Sequence, residues 1–229
     1  MYLLFRLRTF VPYSMLGKTL VRIALRFKKW RRVVVFAERQ PTSGAVIYVT
    51  NHIKAVDSLV VGLAVPRQAS FLAKSEYYKH PAMALALWLI GAVSVDRSGG
   101  KAGKSLNRGK WILRHGGVLI IHGEGTRSPD GKLHNMRTGF VELARDTKAM
   151  VVPTALVYIG DRYVETKFGR PIPYSEYVKL KPFQFAELVT ARIHELDPSR
   201  PRSGRLAQIL SIGQNAMKAL RTSAGIPSR

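Results

Sequence analysis

A chain of 229 residues with 46% apolar side chains is long enough for one sizeable core and suits one α/β domain better than two. Its formal charge of +23 implies a polyanionic partner, either nucleic acid or an anionic membrane surface. Cysteine is absent, which excludes a disulfide scaffold, a thiolate metal site and a cysteine nucleophile.

The charge is heaviest at the two ends: residues 1–37 hold nine Lys/Arg and no acid, and residues 198–229 hold six and no acid. Residues 1–36 read as a basic amphipathic helical segment. Leu16, Leu20, Ile23, Phe27 and Trp30 recur at helical spacing, with Lys18, Arg22, Arg26 and Lys29 in a second stripe beside them. Arg6 and Arg8 interrupt the opening apolar run, so it lacks the core of a signal peptide. The longest uncharged run, His80 to Val95, has 16 residues and contains Pro81 and Gly91. It falls short of the ~20 residues a spanning helix needs. The chain is therefore expected to lie on a membrane without crossing it.

Residues 37–229 alternate strands and helices. Ala45 to Thr50 is a buried strand, Asp57 to Val65 a helix ended by Pro66, and Ala69 to Ala73 a short strand. Pro81 to Ile90 reads as a helix, Ala92 to Val95 as a strand, and Lys101 to His115 as a basic helix closed by Gly116-Gly117. Val118 to Ile121 is a buried strand, Gly139 to Asp146 a helix and Val151 to Tyr158 a strand. Val164 to Phe168 reads as an edge strand, Phe183 to Leu196 as a helix, and Gly204 to Leu220 as a basic helical tail. This order implies an α/β fold with a mostly parallel central sheet flanked by helices.

In such sheets ligands bind beyond the carboxyl ends of the strands. His52, Arg97 and Glu124 to Arg127 each follow a short apolar run, so all three are expected on that rim. His52 with Asp57 five residues later suits a general base whose second ring nitrogen is held by a carboxylate. On one continuous helix the two side chains would diverge by about 140°. They meet if His52 sits in the strand-to-helix turn and Asp57 in the first helical turn. Glu124-Gly125-Thr126-Arg127-Ser128 joins small residues to a guanidinium and two hydroxyls, a composition suited to cradling phosphate. Lys74 and Arg97 add charge from neighbouring turns, and Glu124 has the alternative role of holding Arg127 in place. The remaining histidines, His80, His115, His134 and His194, lack ligand spacing, so no metal is expected. There is no Gly-x-Ser-x-Gly elbow and no Walker loop. Without an evident nucleophile, the His52 base would activate a hydroxyl of the substrate itself.

Four ordered blocks carry a resemblance: Asn51-His52-(four residues)-Asp57, Gly91 to Arg97, Glu124 to Ser128, and Val151-Val152-Pro153. Over roughly residues 45–160 the chain resembles the glycerolipid (lysophospholipid) acyltransferases, with 1-acyl-sn-glycerol-3-phosphate acyltransferase as the nearest branch. It departs from them at His122-Gly123, where the family usually has Phe-Pro, and at Ser94, where it has an aromatic. The resemblance implies transfer of a fatty acyl group from acyl-CoA or acyl carrier protein to lysophosphatidic acid, giving phosphatidic acid without a covalent intermediate or a cofactor. His52 would then be the base and Asp57 its orienting group. Arg97 and Glu124, Gly125, Thr126 and Arg127 would hold the acceptor's phosphate, with Lys74 assisting. The expected setting is the cytoplasmic face of the cell membrane, against its phospholipid surface. Two other readings are acylation of another acceptor (glycerol 3-phosphate, a lyso-ornithine lipid or a glycolipid) and a nucleic-acid-binding module. The second leaves the central blocks unexplained, and its basic residues are too sparse among the aromatics.

Overall fold

The computed structural model describes residues 17–23, 26, 31–95, 102–161 and 163–199. Among these residues, seven strands form one sheet: β1 Arg31–Val35, β2 Val46–Thr50, β3 Ala69–Lys74, β4 Ala92–Val95, β5 Val118–His122, β6 Met150–Ile159 and β7 Tyr163–Phe168. Their spatial order is β1-β7-β6-β2-β5-β3-β4. Strands β6, β2, β5, β3 and β4 run parallel. Strand β7 is antiparallel to β6, and β1 is parallel to β7. Thr50 at the end of β2 pairs in register with His122 of β5 and Thr154 of β6. The strand ends after β2, β3 and β5 therefore meet along one rim.

Every residue of β2 is buried, because both faces of the sheet are covered, and its period-two alternation feeds two separate cores. Ile47 and Val49 pack with Leu119, Val151 and Ala155. Above them sit helices α3 (Ala102–Arg114), α4 (Gly139–Thr147) and α6 (Pro182–Leu196). They bury Ile112 and Leu113, Phe140 and Leu143, and Phe185, Val189 and Ile193. The alternate residues Val46 and Tyr48 pack with Ile120, Val152 and Leu156 on the opposite face, under Val60 and Val61 of α1 (Asp57–Ala64). Helix α2 (Pro81–Leu89) starts on a proline at its first turn, where the missing N–H costs nothing. It follows β3 and buries none of its residues. A single turn, α5 (Tyr174–Tyr177), sets Tyr177 into the first core.

Two expectations are corrected. Val164 to Phe168 does not lie at an edge: β1 adds to its outer side, so β7 is interior. The same observation shows that residues 1–36 are not helical throughout. Arg31–Val35 is a strand, and its run of three valines suits a pleated surface better than a helix. Residues 17–23 are helical as expected. Val21 enters the core and Lys18 Nζ donates to the Val65 carbonyl at 2.8 Å. Leu20 and Ile23 of the expected apolar stripe are exposed. Leu16, Phe27, Trp30 and the tail Gly204 to Leu220 lie outside the described residues.

Candidate active site

Strand β2 delivers its chain into a turn that is tied down before any functional side chain appears. Asn51 is buried and its amide mimics a backbone unit: Nδ2 donates to the Leu156 carbonyl at 3.0 Å and Oδ1 accepts from the Leu156 N–H at 2.8 Å. This two-point clamp extends the β2–β6 ladder one residue past its last backbone pair. His52 follows, and the chain turns so that Asp57 opens α1. The five-residue spacing thus closes as expected, with His52 Nδ1 2.9 Å from Asp57 Oδ2. A carboxylate only accepts, so Nδ1 carries the proton and Nε2 is left as the basic nitrogen.

The Asp57 side chain is wholly buried, whereas that of His52 is 19% exposed, so only the imidazole can meet a substrate. The Ile53 and Lys54 N–H groups also donate to Oδ2, the latter at 2.9 Å. The Tyr158 hydroxyl donates to Oδ1. Burial on its own would push the Asp57 carboxyl up. The hydrogen bonds from His52, Tyr158 and the Ile53 amide, with His122 nearby, outweigh that and hold it below its ordinary value. Burial, and then the Asp57 charge, push the Tyr158 phenol up, so it stays a neutral donor.

A second imidazole lies against the first. The His122 ring stacks on His52 with centroids 3.9 Å apart and planes 8° from parallel. His122 Nδ1 donates to the Asn51 carbonyl at 3.1 Å, which leaves Nε2 to accept from Ser58 Oγ at 2.8 Å. Ligand atoms of His52, Asp57 and His122 lie within 4.8 Å of one another, but they do not suit a metal. Imidazole lone pairs lie in the ring plane, so an ion about 2 Å from a nitrogen of one stacked ring would lie well out of the plane of the other, where that ring has no lone pair to offer.

The Glu124 to Ser128 loop closes the rim from β5. Glu124 is buried with its carboxylate turned inward, accepting from the His52 N–H at 3.0 Å and the His134 N–H at 3.3 Å. It holds the His52 backbone from behind, and it is not among the residues that line the cleft. Ser128 N–H donates to the His52 carbonyl at 2.9 Å. Beyond it, Asp130 accepts from the Lys132 N–H and pairs with His134 at 2.7 Å. The His134 ring holds the Asp130 carboxyl down to about 2. Gly125 has a φ of +78°, and a Cβ there would meet the Arg137 side chain at 2.8 Å. A Cβ on Gly123 would lie 2.1 Å from Met136 Sδ.

His52 opens on a cleft of about 440 Å³ whose lining includes Lys74, Gly125, Thr126 and Arg127. Apolar groups, including Phe71, Leu87 and Ile90, supply much of the rest, with Ser58, Tyr77 and His122 alongside them. Lys74 and Arg127 are exposed. The rim therefore brings together His52, Asp57, Lys74, Gly125, Thr126 and Arg127, with Glu124 behind them. Arg97 lies outside the described residues. The sequence does not single out Tyr158, Ser58 or Arg137, and it marks His122 only as a departure from the family pattern. Of these only His122 carried a usable signal, its place at the end of β5 two residues before Glu124. A proton acceptor beside a cationic, partly apolar cleft can deprotonate a hydroxyl on a ligand that carries both an anion and an apolar chain.

The chain matches the Acyltransferase family over residues 31–157. It is 31% identical over 135 residues to 1-acyl-sn-glycerol-3-phosphate acyltransferase of Limnanthes alba, covering 58% of this chain and 48% of that protein. It is 25% identical over 158 residues to the enzyme of the same name from Cocos nucifera, covering 63% and 51%. The chain thus spans about half the length of the curated relatives it matches. Its fold is similar to the crystal structure of the 1-acyl-sn-glycerophosphate (LPA) acyltransferase PlsC from Thermotoga maritima. The TM-score is 0.65 at 22% identity, covering 80% of this chain and 79% of that one.

Proposed function

The chain belongs to the Acyltransferase family, and on that premise we propose that it transfers a fatty acyl group from a thioester to the free hydroxyl of lysophosphatidic acid, forming phosphatidic acid. His52 Nε2 takes the hydroxyl proton as the acceptor oxygen attacks the thioester carbonyl. Collapse of the tetrahedral adduct expels the thiolate, which takes the proton back from the imidazolium, and no acyl-enzyme forms. Asp57 steadies the imidazolium, and Tyr158 and two backbone N–H groups hold Asp57. General-base action of this kind contributes ~10²–10⁴ in rate, and holding two lipid substrates in register supplies up to ~7–11 kcal/mol more.

The observation that carries this reading is that the His52–Asp57 couple opens on the same cleft as Lys74 and Arg127. Their cations suit the acceptor's phosphate, with Arg97 as a further candidate from the sequence. The apolar remainder of the cleft suits an acyl chain. The donor is acyl-CoA or acyl carrier protein. The residues call for no cofactor.

We place the protein on the cytoplasmic face of the cell membrane as a peripheral or monotopic protein. The charge of +23 and the exposed Leu20 and Ile23 support that setting, and no helix among the described residues is long and apolar enough to cross a membrane. The deciding experiment assays purified protein and His52→Ala with each donor against lysophosphatidic acid, glycerol 3-phosphate and a lyso-ornithine lipid. Turnover is expected with lysophosphatidic acid and is lost in His52→Ala while circular dichroism stays unchanged. Undiminished turnover in that variant ends the proposal.

A further inference from the structure

We propose that His122 is a positioning residue for the general base: it presents a neutral aromatic face against which the His52 imidazolium forms, and it must itself stay unprotonated for the base to work. The inference rests on the reading of His52 as the base. Two fixed bonds lock the His122 ring, from Nδ1 to the Asn51 carbonyl at 3.1 Å and from Ser58 Oγ to Nε2 at 2.8 Å. Asn51 is itself clamped to Leu156, and Ser58 sits beside Asp57 in the first turn of α1. The ring plane is therefore set by the same two elements that set the base and its carboxylate.

The consequence is electrostatic. A carbonyl accepts only, so the neutral His122 keeps its proton on Nδ1, just as His52 does against Asp57. When His52 takes a substrate proton, its charge spreads over a ring whose centroid lies 3.9 Å from a parallel neutral one. A cation over an aromatic face is attracted. Two imidazolium rings at that separation repel, so a proton on His122 lowers the basicity of His52.

The other charged groups around the pair do not take over this role. Asp57 is held ionised below its ordinary range and remains so through neutral pH. Glu124 is engaged by the His52 and His134 N–H groups. Lys74 and Arg127 line the cleft as cations, and the Ser58 hydroxyl facing His122 is uncharged. The productive form of the pair is then the one in which both rings are neutral before the substrate proton is taken.

The test is the acid limb of log(kcat/KM) against pH, which reports groups of the free enzyme, measured for the full chain with lysophosphatidic acid and a thioester donor. Wild type is expected to reach a limiting slope of two protons. His122→Phe keeps a flat ring and removes the second proton. It is expected to reach a slope of one and to retain more of kcat at pH 8.5 than His122→Ala does. His122→Ala, which removes the face, is expected to lose about tenfold in kcat. A slope of two in His122→Phe, a slope of one in wild type, or undiminished kcat in His122→Ala overturns the inference. If the variants do not fold, ¹⁵N NMR of the imidazoles in the wild-type protein decides: two-step curves shared by both rings support it, and independent one-step curves overturn it. That readout needs no turnover, so its failure is distinguishable from failure of the acyl-transfer reading.

Discussion

Replacing Asp57 by asparagine separates charge from orientation in this site. Oδ2 accepts from His52 Nδ1 at 2.9 Å, from the Lys54 N–H at 2.9 Å and from the Ile53 N–H, while Oδ1 accepts from the Tyr158 hydroxyl. An asparagine must keep its oxygen at the Oδ2 position, because an amide NH₂ there would face two backbone donors. Its NH₂ then replaces Oδ1, where the Tyr158 hydroxyl can rotate to accept. The His52 tautomer survives and only the negative charge is lost. At an effective dielectric of about 20, two unit charges 4 Å apart attract by about 4 kcal/mol. A transition state with half to all of the imidazolium charge developed loses about 2–4 kcal/mol, or about 30- to 1,000-fold in kcat. Single-turnover kinetics with saturating lysophosphatidic acid and thioester measure this directly. A loss under about fivefold would show that the carboxylate does not serve the proton transfer. A loss above about 10⁴ would show that the tautomer flipped, refuting the argument that two backbone N–H groups pin it.

The Asp57 carboxyl is depressed in the folded state, so its contribution to stability is complete above the ordinary value of 3.8 and disappears as pH falls through the lower folded value. Urea midpoints should therefore drop more steeply from pH 4 to pH 2 in wild type than in Asp57→Asn; parallel curves would contradict the assignment. Gly123→Ala would put a Cβ 2.1 Å from Met136 Sδ and 3.0 Å from Val49 Cγ1, and should destabilise by about 1–3 kcal/mol. Thermal unfolding measures the loss, and adding Met136→Ala should reduce its incremental cost. Arg127→Lys should raise the acceptor KM several-fold with kcat little changed, because an ammonium does not reproduce the guanidinium fork. An unaltered KM would remove Arg127 from the phosphate site.

Much of the fold was legible because its signals are local. The uninterrupted Val46-Ile47-Tyr48-Val49 run marked a strand buried on both faces, and that is how β2 sits at the sheet's centre. Pro66, Pro81 and Gly116-Gly117 marked helix ends or starts that the structure keeps. The edge assignment of Val164 to Phe168 failed for the complementary reason. Alternating burial reports which faces of a strand are covered, but it does not report which strand lies beside it, and β1 comes from more than 120 residues earlier in the chain.

The candidate site divides the same way. His52 and Asp57 are five residues apart, so one turn brings them together, and spacing alone could propose the couple. Glu124 shows the limit of composition: its block reads as a cradle, yet its carboxylate points inward to the His52 and His134 backbone. Tyr158 reaches Asp57 across 101 residues, Asn51 reaches Leu156 across 105, and Ser58 reaches His122 across 64. The sequence by itself determined the strand ends, the pairing of His52 with Asp57, and the cationic loop. Only the tertiary structure decided what surrounds them, because those contacts depend on sheet order and register, which local propensity and periodicity do not encode.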